Sequence, residues 1–310
     1  MVSRSALSTR AGAAAAALVV DQLVGEPPGA LHPVRWFGRI MRGVEKGLYA
    51  DHRGRGSAHA ALGVLLGGAA GGVVRRAGPA IWLAVAGREL GRTATAVGRA
   101  LDAGQLERAR ELLPCLVGRD PSGLDEKDVA RAVVESVAEN TVDAVVAPVL
   151  WGALAGAPGA LGYRAVNTLD AMVGHHSSRY ERYGWASARL DDVAGWVPAR
   201  VTAGLVALVR PARGNEVWRA VRDQAPRHPS PNAGVAEAAF AAALGLRLGG
   251  TNRYGDRIEL RPHLGRGRPP ESADIERAVA LAGDVTLMLA ASLALARLVP
   301  RQQGRRSGAP

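Results

Sequence analysis

The sequence is poor in several residue types and lacks several common motifs. The scarcity of cysteine and the missing motifs exclude familiar kinds of site. Cys115 is the single cysteine, which excludes an intrachain disulfide and a metal cluster built on cysteine. Aromatic residues make up only 4%, and Lys46 and Lys127 are the only lysines. The motifs GxxxxGK[ST], HExxH and GxSxG, and GxGxxG after a strand, are absent. We therefore expect any nucleotide to be held by an unfamiliar arrangement of arginines and metal-bridging acids.

The formal net charge of +11 admits three interpretations. It is typical of nucleic-acid binding, of loops beside a membrane, or of a site for anionic substrates. The arginines are scattered, and no nucleic-acid motif or run of stacking aromatics accompanies them. We therefore expect no nucleic-acid partner.

Several long apolar stretches predict a mostly α, polytopic integral membrane protein with about four or five transmembrane helices. They lie at 59–74, 80–87, 143–163, 193–209 and 278–300. The last is long enough to span a bilayer, and the basic residues after it fit a cytoplasmic end. A soluble, alanine-rich helical protein is the alternative on composition alone.

The connections between these stretches are polar, and we assign them to a single membrane domain over 1–310. Residues 88–134 have amphipathic spacing that predicts a soluble helical connection. Residues 250–272 predict a polar loop with a short strand at RIEL, and 301–310 form a basic tail. The N-terminal stretch lacks a convincing cleavage site, so we expect a retained helix that ends near Gly25.

The stretch ESVAENTVDAVVAP carries Glu135, Glu139 and Asp143 at four-residue spacing, with Asn140 beside them. This spacing places the carboxylates on one helical face. Their oxygens are the ligands that Mg²⁺ prefers, and Mg²⁺ usually accompanies phosphate. A solvated helix face is the alternative, but the segment runs directly into an apolar stretch, where acids tend to be functional. We predict a magnesium site at Glu139 and Asp143.

A second polar block occupies 163–200 between two apolar stretches. Asn167 and Asp170 share a helical face at three-residue spacing, and arginines follow them. Asp191 and Asp192 form an acid pair, for which an N-cap on the next helix is the alternative. The density of polar side chains favours a binding role.

Two further blocks place polar side chains around rigid prolines. RHPSPNAG presents His228, Ser230 and Asn232 before a helix start, where an anion site and a plain N-cap are equally favoured. DQLVGEPPGALHPVRWFG contributes Glu26 and His32. Either histidine suits proton transfer, because an unperturbed imidazole has a pKa of about 6.5.

These blocks together resemble the signature of the CobD/CbiB family of cobalamin biosynthesis. The resemblance covers nearly the whole chain in the family's order, and Gly25-Glu26-Pro27-Pro28 keeps the family's acid-Pro-Pro pattern. The chain departs from it at Thr141-Val142-Asp143-Ala144, where a Ser-Asp-Gly-like stretch is expected. The family implies an integral membrane enzyme, adenosylcobinamide-phosphate synthase. Such an enzyme joins the free propionate of adenosylcobyric acid to aminopropanol or its phosphate and consumes ATP.

The resemblance also implies a multi-pass protein of the cytoplasmic membrane, with its site facing the cytoplasm and with ATP and Mg²⁺ as co-substrate and metal. Its expected partners are the corrinoid, the amine substrate, membrane lipid and other late cobalamin enzymes. We expect Glu135, Glu139 and Asn140 to position metal and nucleotide, and His32 or His228 to deprotonate the attacking ammonium. The residues expected to bind substrate are Glu26, Asn167, Asp170, Arg179, Arg189, Asp191, Asp192, Ser230 and Asn232. A non-catalytic membrane sensor or ligand carrier of the AmpE-like type is the competing class.

Overall fold

The computed structural model describes residues 4–27, 32–118, 120–175, 177–254 and 257–298. Its helices are α1 (Arg4–Val24), α2 (Pro33–Leu48), α3 (Arg53–Val74), α4 (Ala77–Ala84), α5 (Gly87–Asp102), α6 (Leu106–Leu112), α7 (Glu126–Thr141), α8 (Ala147–Leu169), α9 (Trp185–Val209), α10 (Gly214–Asp223), α11 (Ala233–Leu244) and α12 (Ser272–Leu298). Two strands, β1 (Leu248–Tyr254) and β2 (Arg257–Leu264), pair antiparallel. The prediction of a mostly α protein is confirmed.

Four helical segments are long and apolar enough to cross a membrane. They are Arg53–Val74, Glu126–Gly174, Trp185–Val209 and Ser272–Arg297. Large apolar side chains such as Leu65, Val73 and Leu287 stay exposed on these segments, where lipid accommodates them and water would not. The chain is therefore a polytopic α-helical membrane protein, as predicted.

The longest segment folds back on itself at Gly156. The backbone there has φ 70° and ψ −151°, which lies outside the helical region and suits glycine. The hydroxyl of Tyr163 lies 3.3 Å from a carboxyl oxygen of Asp143, 20 residues away in sequence. A straight helix would separate these two residues by about 30 Å. The segment is therefore a helical hairpin with its tip at Gly156.

Arg10 and α3 hold the tip of this hairpin. Pro158 has no N–H, so the carbonyl of Leu154 loses its helical donor, and the guanidinium of Arg10 donates to it at 2.7 Å. Gly71 of α3 lies so close that an added Cβ would stand 2.5 Å from the backbone of Pro158. Small residues of this kind let membrane helices pack backbone to backbone.

The long segment begins with a side-chain cap. Asp125 caps α7, since its carboxylate accepts from the backbone N–H of Asp128 at 2.8 Å. The predicted soluble connection at 88–134 contains α5, α6 and the first turns of α7. Gly25, with φ 81°, ends α1 at the predicted place.

The predicted polar loop at 250–272 is instead largely a β-hairpin. The strand expected at RIEL is confirmed as part of β2, but β1 pairs with it and extends the structure to Leu248. The side chain of Arg131 fixes β1 on α7, donating to the carbonyl of Thr251 and the amide oxygen of Asn252, both at 2.9 Å. An isolated hairpin is marginally stable, so these tertiary contacts decide its formation. The basic tail at 301–310 lies outside the described residues.

Candidate functional site: two carboxylate groups on one helical segment

A small cavity of about 170 Å³ lies where α7, α11 and the β-hairpin meet. We call it the glutamate pocket. Its lining residues are Leu116, Val117, Gly118, Glu135, Ser136, Glu139, His228, Glu237, Asn252 and Arg261. The structure thus brings together three residues predicted from sequence, Glu135, Glu139 and His228, and adds others.

Glu135 is fixed inside this pocket by two donors. Its carboxylate accepts from the backbone N–H of Gly249 at 2.9 Å and from the guanidinium of Arg131 at 3.4 Å. Arg131 itself is buried and also pairs with Asp128 at 2.8 Å. A buried charge needs such partners, and Glu135 has both a backbone donor and a counter-ion.

Glu237 is the least expected member of the pocket. It is buried on α11, and its carboxyl is hydrogen-bonded to that of Glu139. Burial, followed by the charges of Glu135 and Glu139, raises the pKa of Glu237 well above its usual range. The raised pKa favours the protonated form of Glu237, whose O–H donates to Glu139.

His228 faces these carboxyl groups from the start of the α11 block. Its Nε2 lies 3.6 Å from Glu237 Oε1 and accepts from the guanidinium of Arg261 at 2.8 Å. Since arginine only donates, the ring proton sits on Nδ1, which donates to the carbonyl of Ser230 at 3.2 Å. Burial and, to a smaller degree, Arg261 lower the pKa of His228, although the Ser230 contact opposes them. The imidazole is neutral at pH 7 and able to accept a proton.

The second group lies one turn further along the segment from Glu139, and we call it the aspartate cluster. It consists of Asp143, Asp170 and Asp191. The carboxylates of Asp191 and Asp170 are near enough to act electrostatically on that of Asp143, as is Glu139. Within the ranges that the structure describes, no lysine or arginine forms an ion pair with any of the three.

Neutral side chains hold this cluster in place. The hydroxyl of Tyr163 donates to Asp143 at 3.3 Å, across the helical hairpin. The amide of Asn167 donates to Asp191 at 3.4 Å. Asn167 and Asp170 lie on the same arm of the hairpin, and the contact between Asn167 and Asp191 joins that arm to α9.

Two π-helical turns, Val142–Val146 and Asp170–Gly174, correct the predicted single acidic face. Each turn adds a residue to the helical repeat, and such turns occur often at functional sites. Asp143 lies in the first turn, so it does not line the glutamate pocket with Glu135 and Glu139 but contacts Tyr163.

Other predicted residues lie apart from the glutamate pocket lining. Glu26 and His32 pair at 2.7 Å in a different cavity, of about 360 Å³. His32 also caps α2. Of the two candidate bases, only His228 therefore lines the glutamate pocket. The amide of Asn140 donates to the carbonyl of Ser136 at 2.9 Å, one turn back on its own helix.

The capping interpretations need correction. Asp191 and Asp192 lie inside α9, which begins at Trp185, so they do not cap it. Ser230, rather than Asn232, caps α11, since its hydroxyl accepts from the N–H of Ala233 at 3.1 Å. The amide of Asn232 instead donates to the carbonyl of Asp192 at 2.9 Å and joins α11 to α9.

The two arginines predicted to bind substrate are engaged in other contacts. Arg179 pairs with Glu45 at 3.2 Å and stacks over the ring of Tyr49 at 4.1 Å. Arg189 pairs with Asp192 at 3.4 Å near the surface. A role of either in phosphate binding stays a prediction.

Sequence analysis missed Glu237, Arg261, Arg131 and Tyr163. One signal was present for Glu237, because it is the only charged residue in the 12-residue helix AGVAEAAFAAAL. A lone acid in such a helix costs free energy unless it has partners or a function. Arg261 and Tyr163 join the site only through contacts between residues distant in the chain, which no local sequence pattern indicates.

The donor chemistry of the site fits Mg²⁺ only in part. Across the described ranges, no three or more His, Cys, Asp or Glu side chains converge to hold a metal ion directly. Mg²⁺, however, is usually held by one or two carboxylates together with waters and substrate phosphates. The aspartate cluster offers carboxylates that form no ion pair with an arginine or lysine in the described part of the chain, so it meets this smaller requirement.

These features define a class: a polytopic helical membrane protein with two adjoining carboxylate groups on one of its membrane-length segments. Residues 14–282 match the family model described as "CobD/Cbib protein", and the chain belongs to this family. It is similar to proteins named "Cobalamin biosynthesis protein CobD". The Mycobacterium tuberculosis protein is 47% identical over 290 residues, covering 89% of this chain and 92% of the relative. The Rhodobacter capsulatus protein is 43% identical over 285 residues, covering 86% and 90%. No solved structure matches the chain.

Proposed function

We propose that the protein is an adenosylcobinamide-phosphate synthase of cobalamin biosynthesis. It uses ATP to join the free propionate of adenosylcobyric acid to aminopropanol or aminopropanol phosphate. The names of its relatives support the pathway, and the family resemblance supports the reaction. The observation that carries the proposal is the pair of carboxylate groups with different charge balance on one helical segment.

The reaction needs activation because a carboxylate and an ammonium do not condense in water at neutral pH. In our proposal the propionate oxygen attacks the γ-phosphorus of ATP and ADP leaves, giving an acyl phosphate. The neutral amine then attacks the carbonyl carbon, so that a C–N bond forms and the C–O bond to phosphate breaks. Inorganic phosphate leaves, and the nitrogen gives up a proton.

The glutamate pocket suits the amine. A compact ammonium is attracted by Glu135 and Glu139, and the cavity is of small-molecule size. The neutral imidazole of His228 accepts the proton that the amine must lose before it attacks. Arg261 also lines the pocket, and a phosphate ester on the amine would find its guanidinium there.

The aspartate cluster suits the nucleotide. Asp143 and Asp191 would hold Mg²⁺, which supplies positive charge against the phosphoryl oxygens when it is bound. Asn167 fixes Asp191, and Tyr163 fixes Asp143 from the other arm of the hairpin. Since Glu139 lines the glutamate pocket and also acts electrostatically on Asp143, the two substrates would meet near Glu139.

The direct test is an assay in purified membranes with cobyric acid, ATP, Mg²⁺ and aminopropanol phosphate, followed by mass spectrometry of the corrinoid. Wild type is compared with Glu139→Gln, and with Glu107→Gln on the exposed surface of α6 as the matched control. Condensed product from wild type and control but not from Glu139→Gln supports the ligase and its site. No product from folded wild type favours a sensor or carrier.

We further propose that the site faces the cytoplasm, where ATP is available, and that other late cobalamin enzymes associate with it there. Four membrane-length segments support a membrane location. Cysteine labelling of intact cells at the site end would test the orientation, with accessibility only after permeabilisation as the expected result. Co-purification with those enzymes would test the association.

A further inference from the structure

A second cavity lies at the tip of the helical hairpin, and its lining includes no residue of either carboxylate group. It is an open groove of about 1070 Å³ between α1, α4 and the residues around Gly156, and its wall is mostly apolar. Ala6, Ala13, Ala16 and Val20 line it at helical spacing on α1. From Ala6 to Val20 this face is about 21 Å long, and its small side chains leave a furrow.

Arginines line one part of this groove. Arg10 is bound to the carbonyl of Leu154 at the hairpin tip. Arg75 and Arg76 are exposed, and within the described parts of the chain neither has a carboxylate partner. Two adjacent cations without counter-ions at the end of a membrane-length helix attract anionic headgroups.

The backbone at the same place is arranged for an anion. α4 begins at Ala77, directly after Arg76, and no side chain caps its first turn. Ala77 and Gly78 line the groove, and N–H groups of a first helical turn have no acceptor within the helix. Arg75 has φ 59°, and it is the only non-glycine residue with positive φ in the described ranges. This residue ends α3, and its backbone N–H donates to the carbonyl of Gly71 at 2.9 Å.

We propose that this groove binds one anionic phospholipid. Its headgroup phosphate contacts Arg75, Arg76 and the start of α4, and an acyl chain lies along the alanine face of α1. A lipid fits better than a soluble anion because the cationic part continues into a long apolar furrow. The inference is independent of the proposed ligase activity. The lipid would also brace the hairpin tip, since Arg10 and Gly156 both line the groove.

Native mass spectrometry of the full-length protein in detergent tests this proposal. The protein is titrated with phosphatidylglycerol and, in parallel, with phosphatidylcholine of the same acyl chains. We expect preferential binding of one phosphatidylglycerol. Arg75→Gln with Arg76→Gln should weaken it roughly thirtyfold, from the effect of about two arginines beside a lipid surface.

Two further variants distinguish the parts of the proposal. Arg99→Gln with Arg219→Gln removes the same charge from exposed positions outside the groove and should leave binding unchanged. Ala16→Leu fills the furrow without changing charge and should weaken binding of phosphatidylglycerol. Thermal unfolding checks that each variant is folded. If the double arginine variant does not fold, the result with Ala16→Leu alone tests the proposal.

Three results would overturn the proposal. The first is equal binding of the two lipids by wild type. The second is an equal loss of binding in the control pair. The third is displacement of phosphatidylglycerol by excess glycerol 3-phosphate while Ala16→Leu binds normally, which would indicate a site for a soluble anion.

Discussion

The glutamate pocket and the aspartate cluster adjoin each other at Glu139 and Asp143, yet their charges are balanced differently. In the glutamate pocket, Arg131 pairs with Glu135, and the raised pKa of Glu237 favours the neutral form of that carboxyl. In the aspartate cluster, Tyr163 and Asn167 donate hydrogen bonds but bring no positive charge. Carboxylates taken out of water need compensation. The glutamate pocket has this compensation within the protein, whereas the aspartate cluster would gain it from a bound cation.

The largest expected effect is the loss of rate when the proposed base is removed from the glutamate pocket. His228→Gln removes the base, and we expect the rate of amide formation to fall by about 10²- to 10⁴-fold. Because the pKa of His228 lies below 6.5, the wild-type rate should persist on the acidic side of that value. Initial rates between pH 5.5 and 8, in steps of about half a unit, measure both effects.

His52→Gln is the control, because His52 caps α3 at an exposed position. It should keep the wild-type rate and pH profile. An unchanged rate in His228→Gln would remove this histidine from the mechanism.

The next effect tests the aspartate cluster. Asp191→Asn keeps the size of the side chain but removes a charge. We expect the Mg²⁺ concentration for half-maximal rate to rise by about 10- to 100-fold, with the KM for the amine nearly unchanged. Asp102→Asn, at an exposed position on α5, should change neither. A rise in the amine KM alone would reverse the assignment of the two groups.

A smaller effect tests the fold-back that brings Tyr163 to Asp143. Gly156→Ala forces a side chain into a positive-φ position and should cost about 1–2 kcal/mol of stability. Gly72→Ala on α3 is the matched control, since nothing lies within 4 Å of its added Cβ. It should be neutral or raise stability by up to about 1 kcal/mol. Thermal unfolding in detergent compares them, and equal melting temperatures would contradict the strained hairpin.

The smallest effect concerns the proton on Glu237. Its pKa in the folded state is raised, so the bound proton stabilises the fold fully below the unfolded value of 4.5, and this contribution is lost as pH rises through the folded pKa. Glu237→Gln has no such loss. We expect its free energy of unfolding to gain on that of wild type as pH rises, by on the order of 1 kcal/mol per pH unit, and its melting temperature to rise relative to wild type accordingly. A difference independent of pH would argue against a protonated Glu237.

The sequence predicted those features that depend on local rules. The end of α1 near Gly25 was predicted from the glycine and the prolines at that place in the sequence. The apolar stretches predicted a polytopic helical membrane protein, and four-residue spacing correctly joined Glu135 to Glu139. Each conclusion rests on neighbours within a few turns.

The remaining features depend on contacts distant in sequence or on small backbone changes. The π turn at Asp143 alters helical phase without a residue pattern that marks it. Gly156 and Pro158 indicate that the helix is interrupted, but the same residues are found at a simple kink and at a complete fold-back. Arg261 reaches His228 only because β2 pairs with β1 beneath α11. Distances of this kind arise from the tertiary fold.

A single-turnover experiment tests the division between the two groups most directly. ADP and amide product are quantified in rapid-quench samples of wild type, His228→Gln and Asp191→Asn, with cobyric acid, ATP, Mg²⁺ and amine present. The account predicts that His228→Gln still releases ADP while amide formation fails, and that Asp191→Asn loses both. Equal loss of ADP and amide in the two variants, or amide from both at the wild-type rate, would contradict it.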